Sequence, residues 1–104
     1  RLNMQITLRY FDGCPNWRLA EARMTEALAA AGGPGSAIAY ERVETQEEAE
    51  RLGFRGSPTL LVDGHDPFAE EAAPVGLACR IYRTEEGPQG APSVAQLRAA
   101  LRRA

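Results

Sequence analysis

Apolar and polar residues alternate strictly at the start of the chain: Met4, Ile6, Leu8 and Tyr10 fall on one side, with Gln5, Thr7 and Arg9 on the other. A period of two predicts a strand. From Pro15 the period changes, and Trp17, Ala20, Met24, Ala27, Leu28 and Ala31 recur at helical spacing until Gly32-Gly33-Pro34 stops the helix. Residues 37–43 predict a second strand, and Thr45-Gln-Glu-Glu48 is a capping box opening a short helix that ends at Gly53. The apolar run Leu60-Leu61-Val62 predicts a third, buried strand closed by the turn dipeptide Asp63-Gly64. An acidic, proline-containing loop follows, and residues 77–83 predict a fourth strand. A second loop spans residues 85–92, and Ser93 with Gln96 caps a last helix carrying Val94, Leu97 and Leu101 on one face.

The 104 residues suit one domain, taken as residues 1–104. Arg1 to Asn3, ahead of Met4, read either as an appended remnant or as the product of an upstream start. With 44% hydrophobic residues and a net charge of −2, the chain lacks the basic clusters of a nucleic-acid surface. No run approaches the length of a membrane helix, and no secretory h-region follows a basic start, so a cytoplasmic location is expected. All twelve Lys+Arg positions are arginine, which excludes Schiff-base and other ammonium-based lysine chemistry. One His and two separated Cys offer no close ligand pairs, so neither a metal nor a cofactor is expected.

The two cysteines carry the candidate chemistry. Cys14 sits in Phe11-Asp12-Gly13-Cys14-Pro15-Asn16-Trp17, where a strand ends and a helix begins. Amide groups and dipole at a helix N-terminus stabilise thiolate and lower a thiol pKa, while the neighbouring Asp12 opposes this and Arg55 favours it. A Cys-x-x-Cys motif would place a second sulfur three residues on; that position is Trp17.

The element order, with Cys14 at the first strand-to-helix junction and Ser57-Pro58-Thr59 ahead of the third strand, resembles the thioredoxin-like superfamily over essentially the whole chain. The resemblance implies an α/β fold, a β-α-β-α-β-β-α three-layer sandwich with a four-stranded mixed sheet. It implies a cis bond at Pro58 facing Cys14, and pairing of the Ser57 backbone with an extended substrate. Ser57, Pro58 and Thr59 are then substrate-binding candidates, with Trp17 either core packing or an aromatic wall for substrate. Three redox routes remain: Cys14 alone with an external resolving thiol, Cys14 resolved by Cys79, or Cys14 oxidised to sulfenic acid.

A regular fourth strand would place Cys79 two strand spacings from Cys14, roughly 9–10 Å, which disfavours a disulfide whose Cα limit is roughly 7 Å. The 64–76 connection leaves another arrangement open, carrying Gly76-Leu77-Ala78-Cys79 over the site before the strand begins. Unpaired, Cys79 is a buried small hydrophobe. His65 reads as a surface residue at the remote end of the sheet, and Arg9 as a cation needing a carboxylate partner if covered.

The leading expectation is therefore a thiol oxidoreductase with Cys14 as nucleophile, alkylating faster than Cys79, whose partners are protein or small-molecule thiols and disulfides. The alternatives are a non-catalytic binding module, and handling of a thiophilic metal or organomercurial by the two cysteines.

Overall fold

The computed structural model describes residues 4–31, 38–70 and 73–103. Its elements run β1 (Ile6–Tyr10), α1 (Asn16–Ala30), β2 (Ile38–Arg42), α2 (Gln46–Leu52), β3 (Thr59–Val62), β4 (Tyr82–Thr84), β5 (Gly87–Gln89) and α3 (Val94–Arg103). The Gly32-Gly33-Pro34 stop, the Ala37 strand start and Arg1 to Asn3 lie outside the described residues.

β1 is the middle strand of a three-stranded sheet ordered β2-β1-β3, parallel to β2 and antiparallel to β3. The alternation at its start puts Ile6 and Leu8 into the main core, where they meet Ala20, Met24, Ala27 and Leu28 of α1, Leu60 and Val62 of β3, and Leu97 and Leu101 of α3. The polar side of β1 carries Arg9, ion-paired with Glu41 directly opposite on β2. Helix starts follow their local chemistry. Thr45 and Glu48 form a reciprocal capping box on α2, Ser93 and Gln96 do the same ahead of α3, and Gly53 closes α2 in the left-handed conformation at φ 66°.

The expected four-stranded mixed sheet is not what forms. β4 and β5 make a separate two-stranded hairpin, and residues 77–81 join neither sheet as a named strand. Two causes are visible. Asp63 (φ 52°) and Gly64 (φ 83°) turn the chain back at once, and Val62 exchanges backbone hydrogen bonds with His65, at 2.7 and 3.1 Å. This occupies the end of β3 that a fourth strand would need. The 77–83 segment meanwhile pairs elsewhere: the Ser57 N–H donates to the Ala78 carbonyl and the Arg80 N–H donates to the Ser57 carbonyl, both at 2.8 Å. It also lacks the periodicity of an inserted strand, since Ile81 is 60% exposed and the cation Arg80 is buried.

A second, smaller cluster of Val43, Ala49 and Phe54 lies beside the main core, with Phe11, Leu52, Val75 and Leu77 packed around it. The Gly76 N–H donates to the Phe54 carbonyl at 3.0 Å. The connection after β3 is thus seated on apolar surface before it reaches Cys79.

Candidate redox site

The Phe11–Cys14 turn delivers the first sulfur. The Cys14 N–H donates to the Phe11 carbonyl at 3.2 Å, and Gly13 lets the Phe11 ring pack against the turn, since a Cβ there would stand 2.5 Å from the ring and displace it. Cys14 has no exposed surface. Two residues later α1 begins with no side-chain cap and no acidic residue in its first turn, leaving its positive end uncompensated by the chain's own carboxylates. Asp12 does not reverse that field: it lies exposed on the surface, ion-paired with Arg42 at 2.8 Å, and this bond raises the Arg42 pKa. Asp12, Arg42, Glu44, Phe11, Gly13 and Val43 line a shallow cleft of about 340 Å³ at the rim of the turn.

Ser57 and Pro58 form the wall facing Cys14, joined by a cis peptide bond, and both are buried. The Phe11 N–H donates to Ser57 Oγ at 3.3 Å, and Cys14 Sγ lies 3.5 Å from the Ser57 carbonyl oxygen. The backbone groups that the family resemblance assigns to a substrate are occupied by the chain itself, in a parallel bridge between Ser57 and Cys79. Gly56 permits that approach. At φ 113° it is in a region glycine favours, and a Cβ would stand 3.0 Å from Arg80 Cβ and 3.2 Å from the Ala78 carbonyl oxygen.

The bridge brings Cys79 onto Cys14, and the two form a disulfide with Cα atoms 5.7 Å apart, inside the range such a bond needs. Of the arrangements considered from sequence, the structure has the crossing segment rather than the regular fourth strand. Cys79 is neither buried nor free: it is an exposed residue bonded to a buried one. The disulfide therefore has an inner and an outer sulfur-bearing residue.

Arg80, which the sequence reading passed over, anchors the outer segment. Only 8% exposed, its guanidinium donates to Thr59 Oγ1 at 3.3 Å, to Asp66 at 2.7 Å and to the Phe68 carbonyl, and it lies 4.6 Å over the Tyr82 ring. The Tyr82 hydroxyl donates to the Pro58 carbonyl, and burial pushes its pKa up, so it stays a neutral donor. Thr59 is accordingly committed to the clamp, donating to the Gly56 carbonyl at 2.7 Å while accepting from Arg80. A signal existed in the sequence: one arginine inside the otherwise apolar run 77–82, with Asp66 in the preceding loop.

The other candidates have surroundings of their own. Trp17 packs against the main core, stacks on Tyr10 with ring centroids 4.6 Å apart, and is met by the Arg18 guanidinium. Arg55 donates to the Ala73 carbonyl. His65 is exposed in the turn after β3. Among the described residues no helix is long and apolar enough to cross a membrane.

Compared with protein-family models and with curated protein sequences, the chain matches none.

Proposed function

We propose that this protein is a thiol–disulfide oxidoreductase whose working couple is Cys14–Cys79. The observation that carries the reading is the pairing of a fully buried cysteine at a helix start with an exposed cysteine. Exchange requires an accessible sulfur to attack and a leaving thiolate that is well stabilised. An incoming thiolate meets Cys79 first, forms a mixed disulfide there, and expels Cys14 as a thiolate favoured by the N-terminus of α1. A second thiolate from the reductant then releases reduced Cys79.

In the opposite direction the Cys79 thiolate attacks a substrate disulfide R–S–S–R′ and expels R′S⁻. Cys14 thiolate attacks Cys79 Sγ, expels RS⁻ and closes the internal disulfide, so two electrons pass from the dithiol to the substrate. Cys79 is then the contact sulfur and Cys14 the resolving one. Burial of Cys14 is the physical reason for giving Cys79 the role that the motif alone assigns to Cys14. A cytoplasmic setting belongs to the proposal, because disulfides there are ordinarily catalytic or redox-sensing.

The test uses reduced protein and oxidised glutathione. Wild type is expected to reduce one equivalent and finish with the internal disulfide. Cys14→Ser should stop at a mixed disulfide on Cys79, and Cys79→Ser should react at least tenfold more slowly. Equal rates for both single variants and a free-cysteine peptide would show a non-catalytic module, and the reading would be lost.

A further inference from the structure

We infer that Arg80 is a positioning residue: with Asp66 it clamps residues 78–80 onto the Ser57 backbone independently of the disulfide, and thereby sets how readily the Cys14–Cys79 bond is reduced. The inference rests on the redox couple proposed above, and concerns what holds the two sulfurs together once the bond is open.

The segment has several attachments besides sulfur. Upstream, Val75 and Leu77 pack on the Phe54 cluster and the Gly76 N–H is bonded to Phe54. At the centre are the two backbone bonds to Ser57. Downstream, Arg80 reaches Thr59, Asp66 and Phe68, with its side chain 7% exposed and that of Asp66 19% exposed. Charge-assisted hydrogen bonds shielded from water are stronger than surface pairs. Arg80 directly follows Cys79 in the chain, so fixing its side chain fixes the position of the neighbouring thiol over Cys14.

When the disulfide is reduced, each sulfur gains a proton and the external reductant is oxidised to its disulfide. The attachments remain. Cys79 therefore stays beside Cys14 at high effective concentration, which favours reclosure against an external thiol. The same docking keeps the Ser57 backbone covered in both redox states, unlike a groove that opens on reduction.

The experiment is the thiol–disulfide equilibrium of the purified protein in defined glutathione buffers. Arg80→Met/Asp66→Asn removes the clamp without stranding a charge, and Gly56→Ala loosens the docking by crowding Arg80 instead. Each is expected to shift the equilibrium at least tenfold toward the dithiol, about 30 mV for a two-electron couple. A residue serving stability alone would lower the melting temperatures of the oxidised and reduced forms together and leave this ratio unchanged. Hydrogen exchange of the Ser57 and Arg80 amides should remain slow in reduced wild type and become at least tenfold faster in the clamp variant. Ratios within twofold of wild type in both variants, or freely exchanging amides in reduced wild type, would overturn the inference. The equilibrium needs no turnover, so failure of the oxidised-glutathione rate assay above and failure of the clamp are separately visible.

Discussion

Removing the Cys14–Cys79 disulfide, by reduction or in the Cys14→Ser/Cys79→Ser variant, is expected to lower the stability by about 4 kcal/mol. The bond joins positions 65 residues apart, so it closes a loop containing α1, β2, α2 and β3. A cross-link of that span chiefly restricts the unfolded chain, and its effect grows with the logarithm of loop length. The folded side of the balance changes little if the Arg80 clamp and the two Ser57 bonds persist. Calorimetry of the oxidised protein against the double variant measures this directly. For a domain of this size the melting temperature should fall by roughly 15–25 °C. A fall of only a few degrees would mean that the pair does not close that loop in solution.

Phe54→Ala is expected to cost about 3–5 kcal/mol, as truncation of a buried aromatic does. Phe54 is 1% exposed and central to the smaller cluster, where Val43, Ala49, Val75 and Leu77 meet. Its carbonyl also receives the Gly76 N–H. The truncation should therefore act twice, opening a cavity beneath α2 and loosening the segment that presents Cys79. Leu97→Ala in the main core provides the contrast: about 2–5 kcal/mol is lost there, with no change in the thiol–disulfide ratio. Urea unfolding of both variants, with the glutathione equilibrium measured alongside, separates the effects. Equal redox ratios in the two variants would contradict the assigned role of the Phe54 cluster.

The parts of the fold legible in the sequence are those where local chemistry and long-range packing agree. The alternation over Met4–Tyr10, the Thr45/Glu48 and Ser93/Gln96 boxes and the Asp63-Gly64 turn each specify one local geometry, and β1, α2, α3 and the turn after β3 form where they specify it. The fourth strand is the instructive difference. Residues 77–83 have strand-like composition, but strand pairing is decided by which edge groups are available, and propensity does not report that. Val62 is engaged by His65, whereas the amide and carbonyl of Ser57 are open to Ala78 and Arg80. The pairing of Cys79 with Cys14 follows from the same choice. Its geometry depends on a crossing segment whose course is set by the Phe54 cluster and the Arg80 clamp, contacts between residues far apart in sequence. Burial of Cys14 was hidden for the same reason, because its sulfur is bonded to Cys79 of the crossing segment and lies against the Ser57 carbonyl, both far away in sequence. Trp17, by contrast, behaves as its helical spacing suggests, as packing at the edge of the core.

The central claim, that the redox-active partner of Cys14 is Cys79 within the same chain, is tested most directly by tryptic mapping of the oxidised, alkylation-blocked monomer. Cleavage after arginine leaves Cys14 in the peptide of residues 10–18 and Cys79 in that of residues 56–80. One species is expected in which these two peptides are joined, and reduction splits it with the gain of one hydrogen on each sulfur. Recovery of both peptides singly alkylated from air-oxidised protein, or of either one joined to a copy of itself, would contradict it.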